Sequence, residues 1–257
     1  MRFQIPAESI RIRGQLFPYL LDNYDVKIVH SKTDIEQDRI LVFSSPFDNY
    51  LQQAIKQHSI NFFYVDNGYI GNHKYKKPWY YRVSYNSLQN TRLGRFGKSR
   101  IHTLELDDRY TDWNSNGDYN LLVMPLPNKL FSWFGKEYNT WRHQTITHYE
   151  SLDVPLVIRD KPGGRASRQQ RFKDIVPLIC NSRKVITHHS MAAVEALCLG
   201  KPVEILGESA VQHWQNQTNF DRQEMLEHIA HSQFSRDEFA DGTAWQVTLE
   251  YQYRNFK

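Results

Sequence analysis

Short apolar runs alternate with amphipathic stretches along the first part of the chain. A buried strand is predicted by the continuously apolar run DRILVFSS, and a helix by the spacing in NYLQQAIKQHS. A further strand is predicted by INFFYVDNGYIG, which ends in a turn at Asp66, Asn67 and Gly68. Strands that alternate with helices form parallel sheets covered by helices. The pattern therefore predicts an α/β fold.

The same alternation resumes after a polar, turn-rich segment at residues 107–118, which we interpret as a linker. Strands are predicted at YNLLVMPLP, VPLVIRD, KVITHHS and PVEIL, and helices at TWRHQTITHYESL and MAAVEALCL. The final segment, from residue 221, predicts two or three more helices. We therefore expect two Rossmann-like domains, residues 1–112 and residues 113–257, with the last helices packing back across them.

Composition and motifs narrow the class of protein. With 257 residues, 40% hydrophobic and 23% charged, the chain has the composition of a globular protein. It has no apolar run of about 18 residues and no secretory signal at its start, so we expect a cytoplasmic protein. The two cysteines, Cys180 and Cys198, lie in apolar segments and are expected to be buried thiols. Since the sequence has no P-loop, HExxH helix or zinc spacing, we expect no metal and no cofactor.

The basic charge is concentrated in two stretches. The formal net charge is +4, yet residues 71–100 hold eight Lys/Arg and no Asp/Glu, and residues 159–184 hold eight Lys/Arg against two Asp. A basic stretch can be only a solvated face. Two of them on an otherwise acidic chain favour an anionic ligand or partner.

The most informative segment is VITHHSMAAVEALCLGKPVEI, which predicts a polar turn between a strand and a helix. Ser190 is a good N-cap, and Gly200 suits the end of the helix that follows. The N–H groups and partial positive charge of a helix N-terminus suit the phosphates of a nucleotide. We expect the side chains of Thr187, His189 and Ser190 to donate to the same phosphates.

Further candidate residues surround this turn. Glu195 lies inside the helix among apolar residues, where its carboxylate can accept both hydroxyls of a ribose; the alternative is a helix glutamate that faces solvent. Arg159 and Lys161 follow a predicted strand, at the sheet edge where ligands bind, and suit a diphosphate. Because neighbours on a strand point to opposite faces, we expect only one of His188 and His189 to face the ligand.

Candidates for the acceptor side lie in the first half. Asp66 ends a predicted strand, where its carboxylate can accept the proton of an acceptor hydroxyl; the alternative is that it only organises the turn. The stretch at residues 71–100 interleaves its cations with six aromatics, which suits phosphates and stacked bases or sugars, unless the aromatics are core residues. The candidate acceptor-binding residues are Lys74, Lys76, Lys77, Trp79, Arg82 and Arg95.

These residues carry a resemblance to glycosyltransferases of the GT-B fold. The donor half of that fold, especially in the capsule-polysaccharide transferase group, resembles RDKPGG followed by VITHHSMAAVEALCLGKPVEILG. The matching positions are Thr187, Ser190, Glu195, Ala196, Gly200 and Pro202. A longer resemblance, from FYVDNGYIG to HSQFSRDEFADGTAW, is to a family of tailed-phage proteins. Phage DNA β-glucosyltransferases are also similar, with a catalytic aspartate and a ribose-binding glutamate in the places of Asp66 and Glu195.

The resemblance implies two Rossmann-type domains with parallel sheets that face each other across a cleft. It further implies a nucleotide-sugar donor, such as a UDP-sugar, on the C-terminal domain, and no bound metal. The implied activity is transfer of the sugar to a hydroxyl, which we expect to belong to a hydroxylated base in phage DNA. Two alternatives stay open: a cell-surface or capsular saccharide as acceptor, and a non-catalytic nucleic-acid-binding protein on a degenerate transferase fold.

Overall fold

The computed structural model describes residues 1–44, 49–70, 80–94, 97–104, 111–127, 133–160 and 175–254. They form two compact units. Unit 1 comprises Met1–Glu105 and Leu226–Lys257, and unit 2 comprises Leu106–Met225. Among the described residues, no helix has both the length and the apolar character needed to cross a bilayer.

The described residues form ten strands and nine α-helices. The strands are β1 (Arg2–Pro6), β2 (Asp25–Val29), β3 (Ile40–Ser44), β4 (Phe62–Asn67), β5 (Tyr80–Tyr85), β6 (Tyr119–Val123), β7 (Leu156–Arg159), β8 (Ser182–Thr187), β9 (Val203–Ile205) and β10 (Gln233–Ser235). The α-helices are α1 (Ala7–Arg13), α2 (Pro18–Asn23), α3 (Asn49–His58), α4 (Tyr138–Glu150), α5 (Ile175–Cys180), α6 (Ala192–Cys198), α7 (Arg222–Ala230), α8 (Arg236–Ala240) and α9 (Thr243–Thr248). Short 3-10 helices lie at Gly14–Leu16, Lys32–Asp34, Ile101–Thr103 and Gln212–Trp214, and a π-helix at Leu249–Arg254.

Unit 1 is built on a mixed sheet of six strands in the order β10-β5-β4-β3-β1-β2. Strands β2, β1, β3 and β4 are parallel to one another, whereas β5 is antiparallel to both of its neighbours. The prediction of a parallel sheet therefore holds for four strands and needs correction at β5. This strand comes from the basic, aromatic stretch, and Tyr80, Val83 and Tyr85 are buried in it. For Tyr80 and Tyr85, the alternative that the aromatics are core residues is correct.

The end of the chain belongs to the core of unit 1. Strand β10 completes the sheet beside β5, and Trp245 in α9 is fully buried against Phe17, Phe63 and Phe239. Its indole N–H donates to the carbonyl oxygen of Leu16 at 3.1 Å. Residues 113–257 are predicted to form a second domain whose last helices pack back, whereas the part from residue 226 onward lies in unit 1. Burial of the apolar residues of β10, α8 and α9 against the first sheet explains this arrangement.

Unit 2 is built on a four-stranded parallel sheet in the order β7-β6-β8-β9. Leu122 and Ile186 on neighbouring strands pack with Trp141 and Tyr149 of α4 in a core cluster. Residues of α6 are buried on the same sheet, except for Glu195 and Cys198, which are half-buried. The strand and helix pattern of the second half of the sequence is therefore present as predicted in this unit.

Candidate functional site

Polar residues of unit 2 converge where β6, β7 and β8 end. The parallel register places Val123 of β6 opposite Arg159 of β7 on one side and Thr187 of β8 on the other. Parallel strands lie about 4.8 Å apart, so Arg159 and Thr187 flank the end of β6 at the same level. We call these three strand ends, together with residues 188–190, the polar edge.

The polar edge lies at a topological switch point. From β6 the chain crosses to β7 on one side, and β8 lies on the other side of β6 and continues outward to β9. With right-handed crossovers, the connections after β6 and β8 pass over opposite faces of the sheet. In open α/β sheets, ligands bind beyond the carboxyl ends of two such strands.

His188 forms the floor of this edge. Its ring is 1% exposed and packs edge-on against Phe134 and Trp141, with centroid separations of 4.6 Å and 5.2 Å. A Cβ on Gly207 would lie 2.2 Å from the ring, so only glycine fits beside it. His189 is half-buried, and Phe134 packs against its ring at 5.2 Å. The two rings thus differ in burial, and it stays a prediction that only one of them faces a ligand.

We expect the His188 imidazole to stay neutral through the physiological range. Burial and the nearby Lys136 ammonium lower its pKa to about 4. The ring proton resonances of His188 should therefore hardly shift between about pH 6 and 8, as measured by NMR with a His188→Gln variant for assignment. A titration midpoint near the usual histidine value would contradict the burial of this ring.

Two candidate phosphate ligands have structural hydrogen bonds. Thr187 is fully buried, and its hydroxyl donates to the carbonyl oxygen of Val123 at 3.1 Å. This hydrogen bond links β8 to β6 and uses the only proton of the hydroxyl. The prediction that Thr187 donates to a ligand is therefore corrected. The Ser190 hydroxyl accepts from the amide of Ala192 at 3.2 Å, in the turn before α6. Its proton stays available as a donor, because accepting a bond uses only a lone pair.

Arg159 and Glu195 interact electrostatically in unit 2. Arg159 ends β7, and Glu195 lies on α6, which follows β8. Burial lowers the pKa of Arg159, and the Glu195 carboxylate partly offsets this effect. The two charged groups are therefore near enough to interact electrostatically. Lys161, the remaining candidate on this side, lies outside the described residues.

In unit 1, Asp66 lies at the carboxyl end of β4 in a buried ionic cluster. Its carboxylate pairs with Arg13 at 3.0 Å and with Arg82 at 3.2 Å, and accepts a hydrogen bond from the Tyr64 hydroxyl at 3.1 Å. Burial raises the pKa of Asp66, but Arg82 and Arg13 outweigh it and hold the pKa below its usual value. The carboxylate is therefore ionised at neutral pH, and its low pKa makes it a weak base.

The cluster also corrects the interpretation of Arg82. The sequence predicts Arg82 on an acceptor surface, but it is 5% exposed and lies directly across from Asp66 in the antiparallel register of β4 and β5. Its guanidinium is also packed over the rings of Tyr64 and Tyr69. The charge of Arg82 is therefore paired with Asp66 and does not bind an external anion. The other acceptor candidates, Lys74, Lys76, Lys77, Trp79 and Arg95, lie outside the described residues.

Sequence reasoning missed Arg13 and Phe134. Arg13 ends α1 and reaches the carboxylate of a strand more than fifty residues away in sequence, and no local pattern indicates such a pair. Phe134 stands in an aromatic loop that the sequence did not connect with the histidines. The described residues contain no group of three or more His, Cys, Asp or Glu that could hold a metal ion.

Comparison with known proteins gives a likeness in structure. Neither a protein family nor a curated protein matches the sequence. The structure of the Thermosulfurimonas dismutans KpsC, beta Kdo 2,7 transferase, matches with a TM-score of 0.50 and 11% sequence identity, over 96% of this chain and 98% of that chain. The Thermosulfurimonas dismutans KpsC, beta Kdo 2,4 transferase, matches with a TM-score of 0.48 and 11% identity, over 90% of each chain.

The likeness is one of fold. At 11% identity the first match shows that this chain shares the α/β architecture of a solved transferase structure, and it assigns no residue a role. The coarse prediction of an α/β fold with parallel strands is confirmed. The GT-B arrangement of two facing domains stays a prediction.

Proposed function

We propose that the protein is a glycosyltransferase that binds a nucleotide-sugar donor at the polar edge of unit 2. The observation that carries this proposal is the position of Arg159 at the carboxyl end of β7, beside the switch point of a parallel sheet, where it interacts electrostatically with Glu195 of α6. At this place a cation suits the phosphates of a nucleotide, and a carboxylate suits the hydroxyls of its ribose. The fold likeness to a solved transferase supports the same class of activity.

Each group at the polar edge has a distinct task in this proposal. The Arg159 guanidinium binds the phosphates and stabilises the negative charge that builds up on the leaving nucleotide. The Glu195 carboxylate accepts hydrogen bonds from the ribose hydroxyls. His189 and Ser190, both half-buried, add donors beside the phosphates. The neutral His188 ring shapes the floor and excludes water from it.

For the acceptor, we propose a saccharide hydroxyl. A DNA acceptor depended on a basic surface in residues 71–100, but Arg82 is buried and the other five candidates lie outside the described residues. The comparisons lend no support to a phage origin or to DNA. The first matching structure is that of a beta Kdo 2,7 transferase, so a saccharide is the acceptor class to test first.

Asp66 stays our candidate for the base that receives the acceptor proton. Its ionised state at neutral pH satisfies one requirement, since a base must begin unprotonated. Its two arginine partners oppose the other requirement, because they lower its affinity for a proton. A direct role would therefore be accompanied by loosening of at least one of these ion pairs when the acceptor binds.

The donor site is tested with Glu195→Gln and Arg159→Gln. We expect each substitution to weaken binding of the cognate nucleotide sugar on the order of tenfold, because hydrogen bonds to a charged group contribute about 1.5 kcal/mol or more. Calorimetric titration, after a thermal-shift panel of UDP-, GDP-, dTDP- and CMP-linked sugars including CMP-Kdo, measures the affinities.

Glu150→Gln is the matched control, since Glu150 is exposed at the end of α4 in the same unit. It should bind the donor as the wild type does. If no nucleotide sugar stabilises the wild type, the proposal is wrong. DNA binding that weakens steeply with salt and is unchanged in Glu195→Gln would then support a non-catalytic nucleic-acid-binding protein.

A further inference from the structure

Unit 2 contains a cavity at the end of its sheet opposite the polar edge. The cavity has a volume of about 580 Å³, enough for a small molecule. It is lined by Thr111, Asp112, Trp113, Asn114, Ser115, Asn116, Cys180, Leu199 and Lys201. Asn116, Cys180 and Lys201 come shortly before β6, β8 and β9, so the cavity lies at the amino ends of these parallel strands. It is therefore separate from the proposed donor site.

The cavity wall contains a buried cation. Lys201 is 2% exposed, and its ammonium donates a hydrogen bond to the carbonyl oxygen of Asn116 at 3.0 Å. Burial lowers the pKa of Lys201, and the neighbouring Cys180 partly offsets this. Lys201 itself lines the cavity, together with Asn116, whose carbonyl oxygen accepts from the ammonium, and Cys180.

The charge of Lys201 has no counter-ion within the described part of the chain. No carboxylate there pairs with it, and Asp112, the acidic residue of the lining, is exposed. A buried charge is costly unless it is paired and hydrogen-bonded. An ammonium has three donors, and a single carbonyl oxygen satisfies one of them. An anion in the cavity would supply both the charge and the acceptors that are missing.

The walls around Lys201 are held in place before any ligand binds. The side-chain oxygen of Asn114 accepts from the amide of Asn116 at 2.8 Å, and the amide of Asn114 donates to the carbonyl oxygen of Gly200 at 2.8 Å. Gly200 has φ +70, and a Cβ there would lie 1.9 Å from the carbonyl oxygen of Asp112. Only glycine permits this close approach, which fixes the polar segment at residues 111–116 over the cavity.

We propose that this cavity is a second ligand site, which takes a small phosphate- or carboxylate-bearing molecule with its anionic group against Lys201. The amide and hydroxyl side chains of Asn114, Ser115 and Asn116 are exposed at its rim and suit the hydroxyl groups of such a ligand. A regulatory anion or an acidic sugar has this chemistry. The site does not depend on the proposed function, because none of its residues belongs to the polar edge.

The test uses Cys180, an exposed free thiol in the cavity wall, as a reporter. Its alkylation by iodoacetamide, a neutral reagent, is followed by mass spectrometry in phosphate, acetate or chloride at equal ionic strength. We expect phosphate to slow the labelling saturably, to roughly a third of the free rate at about twice its Kd. Protection by acetate as well would identify a general anion site, and protection by phosphate alone a phosphate site.

Lys201→Met should abolish the protection, and Lys201→Arg should retain most of it. Arg159→Gln should weaken donor binding about tenfold and keep the protection of Cys180, which separates this site from the polar edge. Equal labelling rates in phosphate, acetate and chloride would overturn the proposal from the wild type alone, even if Lys201→Met does not fold. Protection that persists in a folded Lys201→Met protein would overturn it too.

Discussion

Replacement of Asp66 with asparagine is expected to lower the free energy of unfolding by about 3 kcal/mol. The side chains of Asp66, Arg13 and Arg82 are 18%, 13% and 6% exposed. Removing one partner of a buried ion pair leaves the other charge without compensation. Here a single neutral amide would face two guanidinium groups, and the Tyr64 hydroxyl would lose its ionised acceptor. Urea unfolding of the purified variant measures the loss.

The pH dependence of stability gives a second measurement on the same group. The folded-state pKa of Asp66 lies below its usual value, so the stabilisation is fully present above the unfolded pKa of about 3.9 and is lost as the pH falls through the folded value. Wild-type stability should therefore fall more steeply below about pH 4 than that of Asp66→Asn. Parallel acid curves for the two proteins would show that the ion pairs do not stabilise unit 1.

Asp22→Asn is the control, since Asp22 is exposed on α2 of the same unit. Its effect should stay within about 0.5 kcal/mol.

The comparison also decides how a transfer assay on Asp66→Asn is interpreted. If activity is lost while the variant is folded and binds donor normally, Asp66 acts in the reaction. If activity falls only in proportion to the folded fraction, Asp66 has a structural role.

The sequence predicts unit 2 better than unit 1, because the patterns that indicate its strands, turns and helix ends involve residues that are neighbours in sequence. The turn at residues 188–190, the buried faces of β6 and β8, and Gly200 at the end of α6 each follow from neighbours in sequence. Gly200 has the positive φ that its position at a helix end implies. The role of Thr187 could not be read in this way, because its partner, the Val123 carbonyl oxygen, belongs to a different strand.

In the first unit the decisive contacts are long-range. Arg82 looks like one more cation in a basic stretch, and only the antiparallel register of β4 and β5 places it opposite Asp66. Arg13 reaches the same carboxylate from the end of α1. The sequence predicts a basic surface in residues 71–100, because charge and aromatic content do not reveal which side chains form ion pairs within the protein. The prediction that Cys180 is buried is wrong as well. Its apolar neighbours in sequence indicate burial, but its side chain is exposed.

The assignment of the chain's end to unit 1 leads to the last prediction, that Trp245→Ala lowers the free energy of unfolding by about 3–5 kcal/mol. The indole is fully buried, and the substitution leaves a cavity lined by Phe17, Phe63 and Phe239. It also leaves the Leu16 carbonyl oxygen without its hydrogen bond from the indole, and an unsatisfied buried acceptor adds to the loss.

Equilibrium urea unfolding, followed by far-UV circular dichroism so that the missing tryptophan does not bias the signal, measures the effect of Trp245→Ala. Leu21→Ala serves as the control, because Leu21 is 41% exposed on α2 in the same unit and should change stability by about 0.5 kcal/mol or less. Similar losses for both variants would mean that α9 does not contribute to the core of unit 1. A large loss for Trp245 alone would show that the first unit needs the last segment of the chain, so that a fragment ending at residue 225 would lack part of its own core.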